Sequence, residues 1–147
     1  MKKLLYILTI ISLVFLSGCS MLTPEKTKVF ELKDNSAEYR VEISHKDDTV
    51  TKQKFIITIK LDGELTVDNI KPALEKEKKQ VSGLKGISYE TDYQSDKIVT
   101  TISIDFTQAK SEDIGKIPGM TGVNVSNGIS LEATEKGLLN SGYKEVQ

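Results

Sequence analysis

An α+β domain is the fold class this sequence predicts: an antiparallel sheet of about five strands in two hairpins, with two to three helices packed on one face. Three observations carry that expectation. Residues 37–61 and 87–106 each alternate apolar and polar residues around a short polar break. Between them lies a highly charged segment whose apolar residues recur at helical spacing. Near the C-terminus, a serine precedes a short apolar stripe that ends at a glycine.

Val29-Phe30-Glu31-Leu32 is a short first strand. From Ala37 to Ile43, Ala37, Tyr39, Val41 and Ile43 share one face, and Glu38, Arg40 and Glu42 share the other. His45-Lys46-Asp47-Asp48 forms the turn, and Val50 to Leu61 returns with Phe55, Ile57, Ile59 and Leu61 inward and Thr58 and Lys60 outward. After the break at Asp62-Gly63-Glu64, Val67, Ile70, Leu74 and Val81 mark one face of a helix, with Thr66 as candidate N-cap. Pro72 suits a first turn, so the regular helix is expected to start near Lys71. The run Glu75 to Lys79 reads as its solvated side. Gly83 and Gly86 end it.

Ile87 to Tyr93 and Ile98 to Phe106 form the second hairpin around Ser95-Asp96-Lys97. A helical turn at Ser111–Ile114 stops at Pro118-Gly119, and a small strand is expected at Val123 to Val125. Ser130 caps a last helix to Asn140, with Leu131, Leu138 and Leu139 as its stripe and Gly142 at the C′ position.

The first residues belong to a different design. Met1-Lys2-Lys3 is a short positive start, and Leu4 to Leu16 is almost wholly apolar. That run is too short to span a bilayer, which takes about 20 residues, and fits the core of a signal peptide. It ends in Leu16-Ser17-Gly18-Cys19, which resembles the lipobox of bacterial prolipoproteins. The resemblance implies cleavage between Gly18 and Cys19 and acylation of the Cys19 thiol, with palmitate or similar chains. The expected organisation is a signal peptide over residues 1–18, a lipidated tether over 19–27 and a single α+β domain over 28–147. The expected partners are the membrane, through Cys19, and the prolipoprotein-processing enzymes. Two or more acyl chains hold stably where a single chain is marginal, at about 0.8 kcal/mol per buried methylene.

Cys19 is the only cysteine, so no internal disulfide and no cysteine-based zinc cluster can form. Arg40 is the only arginine among 20 basic residues, a bias common in AT-rich genomes that points to a Gram-positive source. The mature chain would carry 18 basic and 21 acidic residues, so it has no charge for nucleic acid and should rely on its acyl chains at the membrane.

The chain resembles the YehR-like family of small bacterial lipoproteins, a family without assigned activity. The resemblance rests on the lipobox, on Lys46-Asp47-Asp48-Thr49-Val50-Thr51-Lys52-Gln53, and on Leu138-Leu139-Asn140-Ser141-Gly142-Tyr143-Lys144. It implies the α+β fold and the lipoprotein address, and carries over no functional residue beyond Cys19.

Catalytic chemistry has little to build on. His45 with Asp47 and Asp48 is a local polar turn, short of the ligands a tight transition-metal site needs. A serine triad would have to use His45, and there is no Gly-x-Ser-x-Gly elbow. Glu90, Asp92 and Asp105 could supply a glycosidase pair, but they fall on outward strand positions. Gly115, Gly119 and Gly122 follow no phosphate-loop pattern. No cofactor, metal or catalytic residue is therefore expected. The expected function is an envelope binding or scaffolding module, with an unknown envelope protein or polymer as partner. The alternatives are a small-ligand carrier with a pocket between sheet and helices, and a metal-independent cell-wall hydrolase. Arg40 is the candidate binding residue, at mid-strand on the wet face, where its planar fork could hold a carboxylate or phosphate.

The lipobox gives the first prediction. Cys19→Ala should abolish incorporation of a labelled fatty acid and leave the precursor uncleaved; labelled, normally processed protein from that variant would contradict it.

Overall fold

A computed structural model describes residues 23–146; Gly18 and Cys19 lie outside the described residues. The strands are β1 (Lys26–Lys33), β2 (Ala37–Lys46), β3 (Thr49–Lys60), β4 (Ile87–Tyr93), β5 (Lys97–Asp105), β6 (Ile129–Ser130) and β7 (Lys144–Glu145). The helices are α1 (Val67–Val81), α2 (Ser111–Ile114) and α3 (Leu131–Asn140). The architecture is α+β, but the sheet has seven strands rather than about five. Its order is β4-β5-β3-β2-β1-β7, with β6 paired to β3 and every pairing antiparallel.

The two extra strands, β6 and β7, are two residues long and bracket α3, too short to leave an alternation in the sequence. The expected strand at Val123 to Val125 is loop, and the pairing segment lies at Ile129–Ser130 instead. The first strand also begins at Lys26, ahead of the expected boundary at residue 28.

Both hairpins form as expected, each with one face buried. Phe30, Val41, Ile43 and Val50 pack with Leu131 of α3. Tyr89, Ile102 and Ile104 pack with Val81, Ile114, Ala109 and Ile117. Phe55 and Phe106 touch both clusters and join the two halves of the core. The helices thus cover one face of the sheet. The other, outer face carries the alternate residues of each strand.

A β-bulge sets which side chains reach which face. Ser44 pairs with Lys52 and His45 with Val50, so Thr51 is the extra residue. Strict alternation from Phe55 would turn Val50 outward. The bulge returns it to the core, where it is 2% exposed. His45 is buried at the same end, its Nδ1 donating to the Asp47 carbonyl at 2.8 Å. His45 and Lys46 thus belong to β2, and the turn itself is Asp47-Asp48.

α1 begins at Val67, not near Lys71, and carries Pro72 as an interior residue. The hydrogen bond lost is the one Pro72 would have donated to the Asp68 carbonyl. Two carboxylates of the run read as solvated hold the helix to the sheet: the Tyr89 hydroxyl donates to Glu77 and that of Tyr93 to Glu75, both at 2.9 Å. Glu77 occupies the gap in the apolar stripe between Leu74 and Val81. Burial first, then the Glu77 carboxylate, pushes the Tyr89 hydroxyl well above its ordinary range, so it remains the donor.

α3 is capped at both ends as its sequence indicates. Ser130 Oγ accepts from the Ala133 N–H at 3.2 Å. At the other end Tyr143 N donates to Leu138 O and Gly142 N to Leu139 O, both at 3.1 Å, with Gly142 at φ 90°; this is a Schellman motif. Leu131 and Leu138 face the core, but Leu139 is 53% exposed and is not part of the buried stripe.

Gly86 shows how closely the second hairpin packs. Its φ is +76°, and a Cβ there would lie 2.7 Å from Ala109 N and 2.9 Å from Asp105 O, both backbone atoms. Gly63 also has positive φ, but nothing lies within 4 Å of its Cβ position. Gly86→Ala should therefore destabilise by several kcal/mol, from backbone strain plus overlap, while Gly63→Ala should cost only about 1–2 kcal/mol. Urea unfolding of both variants checks this; equal losses would contradict the packing.

Candidate functional site

The outer sheet face is left free by the core. By strand alternation Glu38, Arg40, Glu42, Thr58, Lys60, Thr101, Ser103 and Asp105 share it, as expected. Ser44, Lys52 and Lys54 belong to the same face. The same alternation, continued toward the hairpin turn, would have found them.

Arg40 does not present an empty fork. Its Nη1 lies 2.7 Å from Glu31 Oε1 and its Nε 3.2 Å from Glu42 Oε1. Glu42 is shared with Lys54 at 2.8 Å. Glu31 is 3.6 Å from Lys33, which is 3.9 Å from Glu38, itself 3.3 Å from Lys60. The ladder therefore crosses β1, β2 and β3, with three glutamates each shared between two basic side chains. Exposed pairs of this kind contribute little to stability one by one, and their effect here is to occupy Arg40.

The open part of the face lies nearer the hairpin turn. A groove of about 680 Å³ is lined there by Glu42, Ser44, Lys52, Lys54, Ser103 and Asp105, among others. A second hollow of about 460 Å³ adjoins it, shares Lys52 and Asp105, and includes Thr23, Pro24 and Glu25. The N-terminal segment is fixed at this end: the Thr51 hydroxyl lies 2.5 Å from Glu25 Oε1, and Thr23 Oγ1 lies 3.5 Å from Asp47 Oδ2.

The carboxylates of the groove are engaged by neighbours. The hydrogen bond from Lys54, and after it that from Arg40, holds the Glu42 carboxyl below its usual pKa despite burial. Burial acts to raise that of Asp105, but hydrogen bonds from Thr107 and Gln108 outweigh it and hold it low.

Glu90 and Asp92 lie on the edge strand β4. Asp105 lies at the far end of β5, four positions from the partner of Glu90, about 14 Å along the strand. On the core side, a small apolar hollow of about 260 Å³ lies between Phe55 and the segment Ile117–Val123.

A family model described as "Protein of unknown function (DUF1307)" matches residues 26–144, from the first residue of β1 to the first of β7. The chain belongs to this family. Among its relatives are the uncharacterized lipoprotein Lmo0207 of Listeria monocytogenes, 34% identical over 125 residues (83% of this chain, 82% of that protein), and the uncharacterized lipoprotein Lin0239 of Listeria innocua, 32% identical over 126 residues (84% and 82%). The fold is that of Escherichia coli YehR, whose NMR structure aligns with a TM-score of 0.70 at 24% identity, covering 86% of this chain and 94% of that one. An NMR structure of a Streptococcus pneumoniae TIGR4 protein aligns at 0.62 and 21% identity, covering 86% and 87%. The resemblance to YehR-like proteins is therefore borne out across the DUF1307 domain.

The ladder yields a prediction. A carboxylate with depressed pKa contributes stability above its unfolded pKa, and that contribution is lost as pH falls through the folded value. Glu42 should thus titrate below an ordinary glutamate by carboxyl NMR. Lys54→Met should move it up more than Arg40→Met does; the reverse order would contradict the geometry.

Proposed function

We propose that this protein is a lipid-anchored, extracytoplasmic binding module of the cell envelope, without catalytic activity, and that it binds through the outer-face groove. The Leu16-Ser17-Gly18-Cys19 sequence and the names of the two Listeria relatives support the anchor. Those relatives and the scarcity of arginine support a Gram-positive envelope. Among the described residues no helix is long and apolar enough to cross a membrane.

The observation that carries the binding reading is the groove itself: an open concavity on the sheet, lined by charged and hydroxyl side chains as well as apolar surface, beside the segment that leads to the anchor. The carrier reading has less support. The hollow between the sheet and the Ile117–Val123 segment, about 260 Å³, is below the range of about 300–1,000 Å³ usual for small-molecule sites.

The test is photocrosslinking in native membranes from a benzophenone residue placed at Ser103, in the groove, or at Lys76, on the exposed side of α1. The expected result is an adduct with one envelope component from Ser103 and none from Lys76. Adducts from Lys76 alone, or from neither position, would contradict the assignment.

A further inference from the structure

The register across β2, β3 and β5 places six groove side chains in a checkerboard. One row is Ser44, Lys52, Asp105; the next is Glu42, Lys54, Ser103. Each lysine therefore stands between a serine and a carboxylate. The two lysines are about 7 Å apart along β3, and each has a serine directly opposite on a neighbouring strand, about 5 Å away between Cα atoms. The lysine side chains are 54% and 46% exposed.

The carboxylates already have other donors. Glu42 receives Arg40, and Asp105 receives the Thr107 N–H and hydroxyl and the Gln108 amide. Lys52 is only loosely held, 3.9 Å from Glu25. Lys54 donates to Glu42 at 2.8 Å, but Glu42 also receives Arg40, so the Lys54 ammonium can turn to an incoming anion without leaving that carboxylate unpaired. The two lysines offer charge-assisted donors to one tetrahedral anion, and Ser44 and Ser103, about 12 Å apart on either side of them, each offer a neutral donor to another oxygen of the same ligand. No aromatic side chain lines the groove, so a sugar ring would have no stacking surface.

We propose that Lys52 and Lys54 form the phosphate site for a glycerophosphate group, with Ser44 and Ser103 flanking it. The inference rests on the binding-module reading and names its ligand. The position suits such a ligand. Cys19 is four residues before Thr23, a span of about 14 Å at most, and Thr23 lines the adjoining hollow. A lipid anchor at Cys19 holds the site at headgroup depth. Glycerophosphate is found there as the headgroup of anionic lipid and as the repeat of soluble envelope polymers.

The test uses the full chain in neutral detergent micelles, titrated with glycerol 1-phosphate while the amide resonances of Ser44, Lys52, Lys54 and Ser103 are followed. Saturable shifts at these positions are expected. Lys52→Ala with Lys54→Ala should weaken the apparent Kd about tenfold or more, and 0.5 M salt should weaken it as well. Lys76→Ala should leave it unchanged. Absence of saturable shifts, or shifts that the lysine pair does not affect, would overturn the site.

A second arm compares nanodiscs of phosphatidylglycerol with nanodiscs of phosphatidylcholine. The same shifts in phosphatidylglycerol alone assign the lipid as source. Shifts with soluble glycerophosphate but in neither nanodisc assign the polymer. If phosphate fails but crosslinking from Ser103 persists, the phosphate site falls and the binding module stands. If both fail, the module falls as well.

Discussion

The fold is tied together at the turn between β2 and β3. Asp48, from that turn, reaches 84 residues along the chain to accept from the Glu132 N–H at 2.9 Å, and its other oxygen accepts from the Ser130 hydroxyl at 3.0 Å. Its carbonyl takes the Leu131 N–H at 2.8 Å. One aspartate thus satisfies donors at the start of α3 that would otherwise be unpaired, and places negative charge where the helix dipole favours it. Those hydrogen bonds, from Glu132 first and then Ser130, hold the Asp48 carboxyl below its ordinary pKa. The preceding residue, Asp47, adopts φ 49°, a strained conformation for a residue with a side chain, and its carbonyl is held by buried His45.

Much else follows from this anchor. With α3 seated by Asp48, Leu131 closes the cluster of Phe30, Val41, Ile43 and Val50. The chain leaving α3 returns as β7 along the outer edge of β1. The bulge at Thr51 lies just beyond the turn and assigns Val50 to the core while leaving Lys52 and Lys54 on the outer face. The Thr51 hydroxyl and Asp47 also meet the N-terminal segment. Core, groove and anchor therefore converge on one end of the sheet.

The two hairpins, the outer-face alternation and both caps of α3 were legible because they depend on local periodicity and local side-chain chemistry. What escaped the sequence was set by distant partners. β6 and β7 exist only because α3 is docked beside β3 and β1. Pro72 argued for a later helix start, but the helix's tertiary contacts, Val81 in the core and Glu75 and Glu77 on Tyr93 and Tyr89, outweigh one lost backbone hydrogen bond. Glu75 and Glu77 looked solvated because nothing local shows that Tyr93 and Tyr89 stand opposite. Arg40 was correctly placed on the outer face at mid-strand. Its occupation by Glu31 could be found only with the β1–β2 register, which puts those two residues side by side. The groove was missed for a similar reason: Ser103 was placed on the face, but the bulge and the Gly86 contact that bring β4, β5 and the N-terminal segment together are tertiary.

The central claim is that Asp48 seats the C-terminal helix. Native-state hydrogen exchange of the full chain, with Asp48→Ala against the unaltered protein, tests it most directly. The account predicts that amides of Leu131–Asn140 lose much of their protection while the middle of β5 keeps nearly all of its own. Equal protection of α3 in both proteins would mean that the helix is seated by its apolar contacts alone, and would contradict the account.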